Sequence, residues 1–240
     1  MCNIKFFYDL HIHSTLSPDG DILMTPNNIL NMAMLKGLDI VAITDHNSAK
    51  QLHTIEDIET AYDFVIIPGI EVTVEEGFDV LCYFKRYTDA YALDCFIEDH
   101  LVDDDWGPFS QDDQVITDIY DTTVETYDKS LRSTKIPYRI LVHKVRQLDG
   151  ILVLAHVDRT SKSALLDHPI EAYDCDGIEI QPYAKQAFLE SHPELKSYRI
   201  LSNSDAHDLL AIQERTEALE LDELSIEAFF SYFKGSETHD

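Results

Sequence analysis

The chain has 240 residues, 45% of them hydrophobic, and a formal net charge of −27 at pH 7. That length suits one barrel-sized domain with a core of its own. The charge argues against an extended nucleic-acid partner, which needs clustered Lys and Arg, but is compatible with a small anionic substrate met by metal ions and a few local cations.

No apolar stretch approaches the roughly 20 residues of a membrane span, so no membrane partner is expected. Cys2, Cys82, Cys95 and Cys175 are scattered without a Cys-x-x-Cys pattern. They read as reduced thiols, and the N-terminus runs directly into the first motif with no signal peptide, so a cytoplasmic protein is expected.

In chain order, residues 5–11 are apolar and β-rich and end in His11-Ile12-His13. Two residues apart on an extended segment, His11 and His13 face the same way. Thr25 and Pro26 open a helix through about Lys36, with Ile29, Leu30, Ala33 and Met34 at helical spacing and Gly37 as its stop. Residues 38–44 form a buried strand that leads into Thr44-Asp45-His46, and residues 49–61 a polar-faced helix. Residues 64–68 form a strand before Gly69-Ile70-Glu71, and residues 79–84 another, which begins at Asp79. Residues 136–148 read as a helix stopped near Gly150, and residues 151–155 as a strand leading to His156. Residues 177–181 and 199–202 are further strands, the last followed by Ser204-Asp205-Ala206-His207. Asp205 and His207 repeat the two-residue spacing. The alternation implies an α/β fold with a parallel sheet or barrel, each motif just past the end of its strand.

Residues from about 85 to about 135 break this rhythm. The segment is acidic, in Asp103-Asp104-Asp105 and Asp112-Asp113, and carries Trp106, the chain's sole tryptophan. It reads as an insertion in a single domain spanning 1–240, placed as a lid, a dimer contact or a solvated surface helix pair.

Imidazoles and carboxylates at strand ends are the layout of a metal centre: imidazole suits Zn, Fe and Mn, and a carboxylate such as Glu71 has oxygens enough to bridge two ions. The segments His11-Ile12-His13-Ser14-Thr15-Leu16-Ser17-Pro18-Asp19-Gly20, Thr44-Asp45-His46, Gly69-Ile70-Glu71, Ala155-His156 and Ser204-Asp205-Ala206-His207 together resemble the PHP family, the polymerase and histidinol phosphatase domain. The resemblance runs from about residue 8 to about residue 217. It implies a distorted TIM-like (β/α)7 barrel with two to three divalent ions, Zn, Fe or Mn, at the strand C-termini. One ion would take His11, His13, Glu71 and Asp205. A second would take bridging Glu71 and His156, and a third Asp19, His46 and His207. Where many members carry a further His, this chain has Asp79, which serves as a ligand in its place; weak holding of that ion, or recruitment of His100, are the alternatives.

Asp9 and Asp45 are expected to orient ligand imidazoles through the second ring nitrogen. Arg159, just past His156, is placed to grip phosphate oxygens or to pair with Asp158 or another neighbour. Lys162 and Arg215 are weaker versions of the same idea, and Gln181 and Tyr183 are candidate pocket residues. His53, His100, His168, His192 and His239 are expected to be structural, and His143 a packing or surface residue. The implied reaction is hydrolysis of a small phosphate ester, such as a nucleotide or sugar phosphate, by a metal-bridged hydroxide. The alternatives are an exonuclease or oligonucleotide phosphatase on short RNA or DNA, and a non-catalytic metal-binding protein. Neither a general acid nor an oligomeric state is assigned.

Overall fold

The computed structural model describes residues 4–102 and 105–235. Strand β1 (Ile4–Ile12) leads into helix α1 (Pro26–Lys36). Thr25 caps that helix by accepting from Asn28 N, and Pro26 fills the first turn, where an N–H would go unpaired. Gly37 ends it at φ 67°, a left-handed conformation that costs glycine little. Next come β2 (Ile40–Ile43), α2 (Leu52–Ile58), β3 (Val65–Ile66), β4 (Gly69–Thr73) and β5 (Asp79–Tyr83). Helix α3 (Tyr87–Glu98) and the ribbon of β6 (Val115–Thr117) and β7 (Thr123–Thr126) follow. The remainder is α4 (Tyr138–Gln147), β8 (Ile151–Leu154), β9 (Gly177–Glu179), α5 (Lys185–Ser191), β10 (Arg199–Leu201), β11 (Ala218–Leu221) and α6 (Ile226–Lys234).

The fold is mixed α/β. One sheet has the order β11-β1-β2-β3 and another β10-β9-β8-β5-β4. The pairs β1–β2, β2–β3, β8–β9 and β9–β10 are parallel, as expected. Strand β5 corrects the parallel expectation, because it runs antiparallel to both β4 and β8. The turn through residues 74–78 is too short for a crossover, so β4 and β5 form a hairpin. Strand β11 is also antiparallel to β1. The strands thus form these two sheets and a third of β6 and β7 alone, and the isolated bridges Ile12↔Ala206 and His46↔Glu71 join the two larger ones.

Alternation along the strands sorts their side chains into two cores. Ile43, Ile70, Val80, Cys82, Leu152, Leu154 and Ile178 pack in the larger one, with helix residues such as Ile29, Leu30, Leu93 and Leu141. The opposite faces turn Tyr8, Leu10, Ile40, Ala42, Leu81, Tyr83, Ile151 and Val153 into a second cluster, which Phe229, Phe230 and Phe233 of α6 join. Glu71 pairs with Leu81 in the β4–β5 register, and Asp79 lies two residues before Leu81. Both carboxylates therefore share the face of this second cluster and continue it into polar territory.

Helix α3 buries Ala90, Leu93 and Ile97 in the larger core. The segment after it is fastened to Thr15, Asn47 and Gln51. Thr15 and Val115 exchange two hydrogen bonds at 2.8 Å, Gln51 and Thr117 two more at 2.8 and 3.0 Å, and Asn47 Nδ2 donates to the Leu131 carbonyl at 2.7 Å. Asp103 and Asp104 lie outside the described residues, as does His239; Asp105 is paired with Arg132 at 2.9 Å. Among the described residues no helix is long and apolar enough to cross a membrane.

Gly69 sits where β4 passes Thr44 and β5. A Cβ there would meet Thr44 Cγ2 at 2.7 Å and Tyr83 Cδ1 at 3.1 Å, both on buried residues. Gly69→Ala is expected to destabilise the fold by about 1–3 kcal/mol, the usual result of overpacking, measured as a lower urea midpoint. The cysteines offer a second check. Burial pushes the Cys82 thiol far up and the Cys175 thiol up to about 12, whereas Cys95 is exposed. Of these, Cys95 alone is expected to be alkylated by iodoacetamide in the folded protein near neutral pH, with sites read by peptide mass spectrometry.

Candidate metal centre

The sequence-predicted ligands converge. Three groups each bring one donor atom per residue within 4.8 Å of one another: His11, His13 and Asp205; Glu71, Asp79 and His156; and His13, His46 and His207. Asp19 completes the last group, its Oδ1 lying 3.2 Å from His207 Nε2 and 3.6 Å from His46 Nε2. Glu71 is central. Its Oε1 faces His11 Nε2 at 3.3 Å and His156 Nε2 at 3.2 Å, and its Oε2 faces His46 Nδ1 at 2.9 Å and His13 Nε2 at 3.3 Å.

One position differs from expectation. Glu71 lies within β4 rather than past the end of its strand, while His11 lies within β1, as its segment predicts. Both still point inward, β1 through the register shift between Asp9 and Ile12. His156 (φ 29°) and Asp205 (φ 53°), as well as Asn47 (φ 51°) beside His46, adopt left-handed backbone conformations. Such conformations cost non-glycine residues about 1–3 kcal/mol and persist where surrounding structure enforces them.

Three of the imidazoles are held on the side away from the cluster. His11 Nδ1 faces Glu179 Oε1 at 3.0 Å, His13 Nδ1 faces Ser17 Oγ at 2.9 Å, and His207 Nδ1 faces the Asp205 carbonyl at 2.9 Å. This leaves their Nε2 atoms for the centre. His11 Nε2 and His13 Nε2 are 3.1 Å apart, a separation at which two neutral imidazoles gain little from each other but both reach a shared cation. Glu71 Oε2, Asp79 Oδ2, His46 Nδ1 and His207 Nε2 are buried atoms without a well-aligned hydrogen-bond partner. Such orphaned atoms, all lone-pair donors, fit divalent cations.

The charges agree. Burial opposes the ionised form of every group here. Against it, Glu179, Asp205 and Glu71 hold His11 well above its ordinary value, and Glu71 and Asp19 raise His46 to about 10. Burial, with His207 and His46 beside it, drops His13 to about 3. His11 and His46 hold Glu71 well below the usual carboxylate range, despite full burial. Protonated imidazoles and divalent cations meet the same demand, positive charge among buried carboxylates.

Glu179 escaped the sequence reading. It is 2% exposed, and besides His11 it accepts from His156 N at 2.9 Å and Asn203 Nδ2 at 2.6 Å. The available signal was a lone Glu inside the apolar segment Gly177-Ile178-Glu179-Ile180. The orienting role expected of Asp9 and Asp45 is corrected accordingly. Asp45 accepts from Ser14 N, Ser14 Oγ and Ser17 Oγ at 2.6–2.8 Å and reaches His13 only through Ser17. Asp9 accepts from Ser204 Oγ at 2.5 Å and from Gln213 N at 2.9 Å, fixing the loop that carries Asp205.

Arg159 donates to Asp205 Oδ2, so its expected pairing is made with Asp205 and not Asp158. With the Gln181 amide oxygen turned towards it, Arg159 also donates there at 3.1 and 3.3 Å. Arg159, Gln181 and Tyr183 line a cavity of about 400 Å³. Lys162 reaches the cluster, with Nζ 3.3 Å from Asp79 Oδ2, whereas Arg215 pairs with Asp39 at 3.5 Å and stacks on Phe7, away from the centre. His53 and His192 stack on Tyr91 and Phe188, His100 packs at a tilt on Phe96, His168 lies beside Tyr173, and His143 is exposed on α4.

The PHP domain family matches residues 9–220 of this sequence. The chain belongs to that family. Membership places it among hydrolases of phosphoester bonds. An uncharacterised protein of Methanocaldococcus jannaschii is 35% identical over 77 residues, 29% of this chain and 45% of that protein. The lesion-specific endonuclease Q of Pyrococcus furiosus superposes with a TM-score of 0.73 at 18% identity, over 98% of this chain and 57% of that one. A further endonuclease Q structure, in complex with a 27-mer duplex carrying an abasic lesion at its active site, gives 0.70 at 18% identity, over 98% of this chain and 58% of that one. A putative metal-dependent phosphoesterase of Bifidobacterium adolescentis gives 0.60 at 14% identity, over 94% of both chains. These structural likenesses speak to the fold. This chain spans less than half of the archaeal relative and little more than half of endonuclease Q. The duplex in that complex is in partial conflict with the expectation of no extended nucleic-acid partner.

Glu179→Gln is expected to weaken divalent-ion binding by about 10–100-fold, as loss of a carboxylate behind a ligand imidazole does elsewhere, with cooperative unfolding retained. Chelator-competition titration reads the affinity; an unchanged value would reduce Glu179 to a packing role.

Proposed function

We propose that this chain is a metal-dependent hydrolase of a small phosphate ester, a nucleotide or a sugar or metabolite phosphate. The observation that carries this reading is the convergence of the three donor groups on Glu71 beside the Arg159 cavity. His11, His13, Glu71 and Asp205 would hold one divalent ion, Glu71, Asp79 and His156 a second, and Asp19, His46 and His207 a third. Bound there, Zn, Fe or Mn would supply Lewis-acid activation of water and neutralise phosphate charge. Arg159 would offer its remaining N–H groups to phosphate oxygens, its orientation kept by Asp205 and Gln181. The cavity lined by Gln181 and Tyr183 would take the leaving group, and Tyr183, exposed at its edge, offers a ring to a planar one.

A second reading, cleavage within or at the end of a nucleic acid, draws on the fold shared with endonuclease Q. The net charge of −27 opposes a long duplex footprint and leaves short oligonucleotides as the form of that reading to test.

We also read the two sheets as arcs of one distorted (β/α)7 barrel and the chain as a single PHP domain with an insertion. The bridges Ile12↔Ala206 and His46↔Glu71, and the shared inner cluster closed by α6, support this.

Para-nitrophenyl phosphate, its bis ester and labelled oligonucleotides with terminal phosphates or abasic sites separate the two readings. Turnover of the monoester with oligonucleotide length preserved supports the first; shortened oligonucleotides support the second. His11→Ala with His13→Ala is expected to lose metal content by elemental analysis and at least about a hundredfold in kcat, several kcal/mol of transition-state stabilisation. Full retention of both would sink the metal-dependent reading.

A further inference from the structure

Lys162 has no part in the function proposed above, yet it reaches the cluster. Its backbone is left-handed at φ 55°, and its carbonyl accepts from Asp79 N at 3.3 Å. That turn brings Nζ to 3.3 Å from Asp79 Oδ2. The carboxylate cannot turn away freely, because Asp79 is 1% exposed and its Oδ1 accepts from Thr73 Oγ1 at 2.5 Å. Oδ2 also faces His156 Nε2 at 3.6 Å. It is therefore the oxygen that a cation held by Glu71, Asp79 and His156 would use, and an ammonium already faces it.

Two cations beside one oxygen repel by several kcal/mol at these separations, even at the effective dielectric typical of protein sites. The Lys162 side chain is 44% exposed on a flexible stem, so it has somewhere to go when displaced. Among the described residues, the other donor groups keep their cluster-facing carboxylate oxygens clear of such an ammonium contact. Arg159 pairs with Asp205 Oδ2, while Asp205 Oδ1 remains turned to His11 and His13 at 3.2 and 3.1 Å.

We propose that the Lys162 ammonium and a divalent ion are alternative occupants beside Asp79 Oδ2, so that Lys162 makes the Glu71–Asp79–His156 group the weakest of the three cation positions and sets its affinity. The inference rests on the metal-dependent reading and adds to it a lysine that tunes occupancy. The Lys162–Asp79 pair preserves charge balance when that position holds no ion, and the ion takes over the same carboxylate when metal is abundant.

The test is calorimetric titration of the full chain, stripped by chelator, with Mn²⁺ and separately Zn²⁺, with elemental analysis after dialysis. Wild type is expected to show a weak class of sites beside a tighter one. Lys162→Met should tighten the weak class by about tenfold or more and leave the tight class unchanged. Lys162→Arg, which keeps the charge, should stay close to wild type. Lys162→Gln serves as the neutral variant if Lys162→Met does not fold. Unchanged affinities in the neutral variants would overturn the proposal, as would a weakened weak class, which would make Lys162 a brace for Asp79. No substrate is present, so a protein that binds ions as described but turns over no phosphoester would sink the hydrolase reading alone. Absence of binding in every variant would sink both.

Discussion

Everything at the centre follows from the cost of burying carboxylates. Glu71, Asp79 and Glu179 are at most 2% exposed, and Asp205 is nearly enclosed. An isolated carboxylate moved from water into such a place loses many kcal/mol of hydration, so it must be neutralised or matched by positive charge. Imidazoles come from β1, from the loops after β2 and β8 and from the loop after β10, and Lys162 and Arg159 come from the rim. The arrangement of cations and donors around Glu71 is the solution to that electrostatic demand. Ligand geometry and fold geometry are for this reason hard to separate.

The scaffold supports the same end. Hydrophobic side chains fill the inner face of the strands as far as Tyr83 and Leu81, and the same face carries Glu71 directly across from Leu81 and Asp79 two residues before it. Serines relay the pull of Asp45 and Asp9 to the loops that carry His13 and Asp205. Residues 115–131 are bound to Thr15, Gln51 and Asn47 on the neighbouring motif segments.

Much of this was legible because the chemistry is written in residue type. A His or Asp at the end of an apolar segment has few reasons to be there, and His11, His13, His46, Glu71, His156, Asp205 and His207 all announced themselves that way. So did α1, whose Thr25-Pro26 start and Gly37 stop are local signals that tertiary contacts did not override. What escaped depends on distance in space. Glu179 stands alone in its strand, with no motif partner to mark it. Asp9 and Asp45 adjoin ligands in sequence, but their carboxylates turn to serines. The antiparallel course of β5 is set by the length of one turn, which strand periodicity does not encode. The meeting of Lys162 with Asp79 depends on a left-handed residue that no pattern flags.

The phenylalanines of α6 carry a consequence of their own. Phe229, Phe230 and Phe233 close the apolar end of the inner cluster, and α6 lies across it. On the side of the centre away from those rings, Asp19, His207, Arg159 and Lys162 are the partly exposed groups. Water and ions that approach from that side would meet their mixed charges in both directions. The rate at which the centre exchanges its contents then belongs to the rim as much as to the ligands beneath it.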